Sequence, residues 1–305
     1  MVSFTCNICG AYNQLEKLAT EPASCNCGSN VRLRALIHML SLELFGQSLV
    51  LREFPKLKAI RGLGMTDKEG YAEILADKFD YTNTHYDREP RFDFTEGHPQ
   101  LAGSYDFILS ADVLEHIAPP IGPALEETFQ LLKPHGFLGV TVYCNPTDQM
   151  REHFPGLHEY RVIALGNSTV LVNRRHDGSL EVSDNLIFHG GTGSTLEMRE
   201  FGLTELEAKL LAAGYREVCF LTDNVPEIGI FFDHDVSQPL IARKEKFVMD
   251  RCTRSQMIDA LRAADGRCHK EREYANLLAS QIRLASESKW LRLGRRLGFG
   301  PRFTR

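Results

Sequence analysis

Along the chain, short apolar runs alternate with stretches whose apolar residues recur every three or four positions, the pattern of β-α units on a parallel sheet. From residue 57, LKAI reads as a first strand, and DKEGYAEILADKF (67–79) as a helix with Tyr71, Ile74, Leu75 and Phe79 on one face. FDYTNTHY reads as a second strand, RFDF as a short third and YDFILS as a fourth. IGPALEETFQLLK (121–133) is an amphipathic helix stopped by Pro134 and Gly136, and FLGVTVYC (137–144) a fifth strand. Five strands in this order predict an α/β fold with a doubly wound, mostly parallel open sheet.

Past residue 144 the pattern changes. STVLVNRRHDGSLEVSDNLIFHGG predicts two strands joined by a hairpin at Asp177 and Gly178, a β-hairpin insertion. GLTELEAKLLAAGY returns to a helix, with Thr204 as N-cap and Gly214 ending it. REVCFLTD, and then IGIFF or PLIAR, supply the last two strands. Ahead of the sheet, NVRLRALIHMLSLEL carries a helical stripe at positions 33, 36, 37, 40 and 44. Behind it, the chain is helix-compatible from Lys246 to about Leu293, interrupted at Gly266, with Leu277, Leu278, Ile282 and Leu284 as apolar contacts. The expected organisation is an N-terminal module and linking helix over 1–45, a main domain over 46–245 and a helical basic tail over 246–305.

The first module is marked by its cysteines. Of eight in the chain, four crowd into the first 27 residues: Cys6 and Cys9, then, after fifteen residues, Cys25 and Cys27. Two short knuckles, each followed by a glycine, bring four thiolates to one tetrahedral Zn²⁺, a closed structural site in a zinc-ribbon-like module. The second pair, C-x-C, is tighter than the usual C-x-x-C, and the alternatives are a chance group of reduced thiols or a redox pair. So small a module has little core, so a metal supplies most of its folding energy.

Charge narrows the partners. The chain of 305 residues carries a net charge of −5, but residues 251–305 hold 13 Lys/Arg against 5 Asp/Glu, leaving 22 against 35 for the rest. An acidic body with so few ribbon cations (Lys17, Arg32, Arg34) argues against nucleic acid as a partner. The start lacks a secretory pattern and no apolar run approaches a membrane span, which places the chain in the cytoplasm. The last stretch, SKWLRLGRRLGFGPRFTR, interleaves six cations with Trp290, Leu291, Leu293, Leu297 and Phe299. It suits a peripheral contact with an anionic membrane surface or an acidic protein, or else a solvated terminus packed by its tryptophan.

In open α/β sheets the ligand crevice lies beyond the carboxyl ends of the strands, where strand order reverses. The turns there are polar or glycine-rich: Gly62 and Gly64 after the first strand, Asn83, Thr84 and His85 after the second, Asp93 after the third, and Ser110, Ala111, Asp112 and Val113 after the fourth. Their coincidence at one edge predicts a nucleotide-like ligand; each alone reads equally as a tight turn or helix cap.

YDFILSADVLEHI followed by ALEETFQLLKPHGFLGVTV resembles the fourth strand, following helix and fifth strand of class I S-adenosylmethionine-dependent methyltransferases, especially the methyltransferase type 11 group. The resemblance covers about residues 57–245 and implies a Rossmann-like fold with S-adenosylmethionine as cofactor. By it, Gly62 and Gly64 lie under the cofactor, His85 takes the place of the ribose-binding acid with Asn83 and Thr84 beside it, and Asp93 holds the adenine amino group. Ser110 to Leu114 flank the methionine part, and Asp112 adds negative potential near the sulfonium. Ile60 and Thr66 stand where the group has an acid and a third glycine. HGGTGSTLEMREFG with LLAAGY resembles a subgroup associated with cell-surface polysaccharide synthesis, some members of which begin with a similar Cys ribbon.

A hydroxyl acceptor wants a base, and His189 is the candidate, with Glu197 and Arg199 close behind. The alternative has His189 ending a strand while Glu197 and Arg199 form a surface pair. His116 either faces the substrate or caps the following turn. The expected activity is methyl transfer to a small-molecule or saccharide acceptor; the rival is a non-catalytic scaffold whose cofactor site has degenerated.

Overall fold

The computed structural model describes all residues except 17–22, 146, 167, 190–194, 233–236 and 288–305, together with the side chains of 264–269, 271, 272, 275 and 282–287. The described residues fall into two units, Met1–Thr253 and Arg254–Arg305. In chain order the elements are β1 (Val2–Thr5), β2 (Tyr12–Leu15), α1 (Val31–Phe45), β3 (Arg61–Met65), α2 (Glu69–Lys78), β4 (Asp80–Thr84), β5 (Tyr105–Ala111), α3 (Gly122–Leu131) and β6 (Leu132–Tyr143). Then follow β7 (Arg151–Glu152), β8 (Glu159–Leu165), β9 (Ser168–Arg174), β10 (Leu180–Ser183), β11 (Phe188–His189), β12 (Thr195–Leu196) and β13 (Arg199–Glu200). The chain ends its ordered elements with α4 (Leu203–Ala212), β14 (Glu217–Phe220), β15 (Ser237–Arg243) and α5 (Arg251–Glu287).

The main sheet runs β14-β15-β6-β5-β3-β4. β4, β3, β5 and β6 are parallel, and β15 pairs antiparallel with both β6 and β14. Strand order reverses between β3 and β5, so the crevice of a doubly wound sheet opens there. α3 and α4 pack on one side, over a core that includes Ile108, Leu125, Leu138, Leu206 and Leu210. α1 covers β6 and β15, and Leu36 on it reaches Gly139. Edge-on and stacked contacts through Phe54, Phe79, Phe107 and Phe137 fill the space beneath the sheet's centre.

Several elements sit differently from their expected places. The first strand is Arg61–Met65, not LKAI, so Gly62 and Gly64 lie inside it. Their missing side chains make room for rings: a Cβ on Gly62 would overlap Phe107 and Tyr81, and one on Gly64 would overlap the Tyr81 hydroxyl and the Asp67 carboxylate. The expected third strand shrinks to one bridge, His85 to Arg91. β6 begins at Leu132, so α3 ends before Pro134. The hairpin at Asp177 and Gly178 forms, but β8 pairs on its other side to make a three-stranded sheet, β10-β9-β8. Gly202, not Thr204, is the N-cap of α4, and PLIAR supplies the last strand.

α5 runs through Gly266 without a break, and Leu277 and Leu278 on it are exposed. The aromatic-basic end, 289–305, lies outside the described residues, as do the side chains of Ile282 and Leu284. Among the described residues no helix is long and apolar enough to cross a membrane.

The turn after β3 is locked by burial. Asp67 is 3% exposed and accepts hydrogen bonds from the hydroxyls of Tyr71 and Tyr81. The Asn83 amide bonds the backbone of Asp67 at 2.8 Å on both sides, through its Oδ1 and Nδ2. Thr66 takes φ 53°, the left-handed region that costs a β-branched residue about 1 kcal/mol and that glycine enters freely. Burial pushes the Asp67 carboxyl up to about 7, against the pull of its two tyrosines.

Gly64→Ala is expected to lower stability by about 1–3 kcal/mol through overpacking against Tyr81 and Asp67. Gly97→Ala, where a Cβ meets nothing within 4 Å, should be near neutral, and urea midpoints compare the two. An acid whose folded pKa is raised contributes stability below its unfolded value, near 3.8, and loses it as the pH climbs towards about 7. Asp67→Asn should therefore flatten the fall in urea midpoint across that window; a variant that keeps the wild-type slope would refute the assignment.

Candidate functional site

A cavity of about 1140 Å³ opens at the carboxyl ends of the parallel strands. It is lined by Met65 and Thr66 after β3, Thr84, His85, Tyr86 and Asp87 after β4, Ala111, Asp112 and Val113 after β5, and Tyr143 at the end of β6. Phe92, Asp93, Phe94 and Thr95 form one flank, and the opposite wall comes from the insertion: Tyr160, Val162, His189, Thr195, Leu196 and Met198. The volume exceeds that of a usual single-ligand pocket, roughly 300–1,000 Å³, which leaves space for a cofactor and a second molecule.

The structure thus gathers Thr84, His85, Asp93, Ala111, Asp112, Val113, His116 and His189 around one space. Gly62, Gly64, Asn83 and Ser110 are not among the lining residues. The two glycines admit rings within the sheet, Asn83 braces the turn at Asp67, and the Ser110 hydroxyl is buried within β5. The Thr84 hydroxyl is spent on the Gly64 carbonyl at 2.7 Å. Asp93 uses one oxygen to close its own turn, accepting from the Thr95 amide at 2.9 Å and hydroxyl at 2.7 Å, and its other oxygen lies 3.7 Å from Arg91.

Asp112 sits at φ 52° where β5 leaves the sheet. Its carboxylate is ion-paired with Arg32, accepts from Thr141 Oγ1 at 2.8 Å and lies 3.4 Å from Ser237 Oγ. Arg32 is the residue that sequence reasoning missed here. It stands two positions into α1, and its only signal was a cation inside an apolar helical stripe.

The same turn of α1 holds Arg34, fully buried under the Phe4 ring at 4.5 Å. Its guanidinium donates to the Gly229 carbonyl at 2.8 Å and to Ser29 Oγ at 3.2 Å. The four ribbon sulfurs lie within 4.8 Å of one another, with Cys6 to Cys27 at 3.8 Å and Cys9 to Cys25 at 3.5 Å. A Zn–S length of about 2.3 Å puts tetrahedral sulfurs roughly 3.8 Å apart, so the residues fit a tetrathiolate metal, and a buried guanidinium offsets part of its negative charge.

On the insertion side, Glu197 is clamped between two imidazoles: His189 Nε2 at 2.6 Å and His153 Nε2 at 2.7 Å. Burial opposes ionisation of Glu197, but the hydrogen bond from His153 and the charge of both histidines outweigh it and hold the carboxyl below its ordinary range. Glu197 is therefore no surface partner of Arg199. Arg199 is fully buried, donating from Nε to Glu152 at 2.9 Å and from Nη1 to the Leu114 carbonyl at 2.8 Å. His116 Nδ1 bonds the Leu196 carbonyl at 2.9 Å, and its ring meets His189 edge-on at 4.9 Å. Burial lowers the His116 pKa, favouring the neutral ring. Beneath them Glu115 is fully buried, and burial pushes its carboxyl up to about 7 against the pull of nearby backbone amides and Arg32.

No protein-family model matches the sequence, and none of the curated proteins matches it. Among solved structures, it is similar to Burkholderia thailandensis 1,6-didemethyltoxoflavin-N1-methyltransferase, at 18% identity over 70% of this chain and 78% of that one, TM-score 0.38. It is also similar to an S-adenosylmethionine-dependent methyltransferase from Mesorhizobium loti, at 12% identity over 63% and 95% of the two chains, TM-score 0.36. An amino pentose methyltransferase from Micromonospora echinaspora, involved in calicheamicin biosynthesis, is similar at 14% identity over 60% and 83%, TM-score 0.35. The doubly wound, mostly parallel sheet, with its cavity at the carboxyl ends of β3, β4, β5 and β6, is the Rossmann-like α/β fold that the sequence led us to expect.

Proposed function

We propose that the protein is an S-adenosylmethionine-dependent methyltransferase acting on a small-molecule or saccharide acceptor, in the setting of cell-surface polysaccharide synthesis. The observation that carries this reading is the two-sided cavity: polar turns from successive strand ends form one wall, and the insertion places a carboxylate-braced histidine on the other.

When bound, the cofactor supplies an electrophilic methyl group on a positively charged sulfur. The chain's part is to hold two reactants in line and keep them there. Asp93 and His85 line the cavity and would hold the adenosine, and Ala111 to Val113, on the same wall, would flank the methionine portion. With Asp112 neutralised by Arg32, that wall is set mainly by backbone shape. The Arg32 pair, the left-handed Thr66 and His85 in place of an acid are also what favours a scaffold without turnover. His189, 39% exposed and oriented by Glu197, is the group placed to activate an acceptor hydroxyl. Tyr160 and Val162 add an apolar face on which a sugar ring or a flat acceptor can rest.

The cysteine module is read as a structural zinc site that fixes the first turn of α1. Lys68 Nζ reaches the Gly28 carbonyl at 2.6 Å, and Arg32 reaches Asp112, so the ribbon touches the turns after both β3 and β5.

Calorimetry with S-adenosylmethionine is expected to show one binding event per chain, weakened about tenfold or more in Asp93→Ala; absence of binding by the zinc-loaded protein leaves the scaffold reading in its place. His189→Ala should abolish turnover while sparing cofactor binding, and retained turnover would remove His189 from the chemistry. Cys25→Ser should carry one zinc fewer than wild type by elemental analysis and bind the cofactor more weakly, since Arg32 loses its support. Equal zinc content in the two proteins would exclude the ribbon site.

A further inference from the structure

Methyl transfer leaves one buried group, beside a residue of the cavity wall, unexplained. Glu115 follows β5 in the 3₁₀ turn Leu114–His116 and is fully buried, and neither of its carboxylate oxygens makes a hydrogen bond of full geometry among the described residues. An anion so placed is costly unless something pairs with it. Arg199 forms no ion pair with it: Nε and Nη1 are committed to Glu152 and to the Leu114 carbonyl, and Nη2 makes no hydrogen bond among the described residues.

The groups that do approach Glu115 are imidazoles. One carboxylate oxygen of Glu115, one ring nitrogen of His116 and one of His189 lie within 4.8 Å of one another. One nitrogen of each ring is held, His116 Nδ1 by the Leu196 carbonyl at 2.9 Å and His189 Nε2 by Glu197 at 2.6 Å. That is how metal-ligating histidines are commonly oriented, by a carbonyl or carboxylate on the far nitrogen. The backbone is pinned as well, since the Met198 amide donates to the Glu115 carbonyl at 2.8 Å. His116 and His189 also line the cavity, which gives an ion an entry path and leaves coordination positions facing the acceptor space.

We propose that Glu115, His116 and His189 form a second metal site, distinct from the cysteine cluster, that binds a divalent transition metal at the acceptor end of the cavity. Two nitrogens and one carboxylate oxygen suit Zn²⁺, Co²⁺, Fe²⁺ or Mn²⁺ over Ca²⁺ or Mg²⁺. Metal–nitrogen lengths of about 2.0–2.1 Å bring tetrahedral ligands to roughly 3.4 Å, so the trio closes on the ion by small side-chain rotations. The open positions take oxygen ligands, which selects acceptors bearing hydroxyl or carboxylate groups. Metal uptake needs neither cofactor nor turnover; with an ion bound, His189 serves as its ligand, and activation of an acceptor hydroxyl passes from the imidazole to the ion.

The test is a Co²⁺ titration of the full chain with its ribbon already zinc-loaded, followed by absorption. A nitrogen-oxygen site gives weak visible d–d bands, whereas cobalt on the ribbon adds intense near-ultraviolet bands from thiolate charge transfer. One equivalent is expected to bind with d–d bands alone. His116→Ala and Glu115→Gln should each weaken it tenfold or more, and Glu197→Gln, which alters the brace on His189 together with the contact to His153, by about 10–100-fold. Glu200→Gln should leave it unchanged, although Glu200 belongs to a neighbouring group with His153 and Glu197. Unchanged urea midpoints show that the variants fold; should Glu115→Gln unfold, His116→Ala on the cavity wall carries the decision. Absent d–d bands in wild type, bands that survive His116→Ala, or bands lost only in Glu200→Gln would overturn the proposal.

Discussion

The cavity depends on how one carboxylate is held. Asp112 ends β5 in a left-handed conformation and points into a site built from three separate elements: Arg32 on α1, Thr141 on β6 and Ser237 at the start of β15. Without Arg32 an anion that is 15% exposed would face two hydroxyls and little water. With it, the turn after β5 and the first turn of the linking helix become one unit. Arg32 and Arg34 are two positions apart on a helix, so they point to opposite sides. One closes the cavity wall and the other sits among the ribbon and the Gly229 loop. The cysteine module is thereby mechanically continuous with the cavity edge of the sheet.

Much of this was legible in the sequence, because period-2 and period-3.6 patterns are written in neighbouring residues. β5, α3 and the hairpin turn sit close to their expected places. The misplaced first strand has a definite cause: RGLGM alternates glycine with apolar residues and reads as a loop, whereas its glycines are needed because Tyr81 and Phe107 fill the space their side chains would take. That information is held by residues 19 and 45 positions away. β8 was invisible for the opposite reason. All seven of its residues are exposed, so no alternation of burial marks it, and pairing with β9 alone makes it a strand.

The site divides along the same line. Residues at strand ends could be found, since topology places any turn after a parallel strand at one edge. Contributions from α1, β8 and β15 could not, because Arg32, Tyr160 and Ser237 reach the cavity from sequence distances that no local spacing encodes. The LEHI motif was legible as chemistry but not in its division of labour. His116 faces the cavity and Glu115 faces inward, a consequence of the tight 3₁₀ turn that carries both.

Where the insertion meets the turn after β5, its charges are held by protein partners. Glu197 and Arg199 are buried and Glu152 is 19% exposed; Glu197 is held by His189 and His153, and Arg199 Nε by Glu152. Arg199 ties the insertion to the carbonyl of Leu114, while the Met198 amide holds the carbonyl of Glu115. The wall carrying His189 is thus bonded to the turn that carries His116, and the two imidazoles keep their edge-on contact without a covalent link between the segments. A cavity assembled this way has its His116–His189 side fixed by backbone bonds and buried ion pairs. Tyr160 and Val162, on a strand whose seven residues are all exposed, complete the wall.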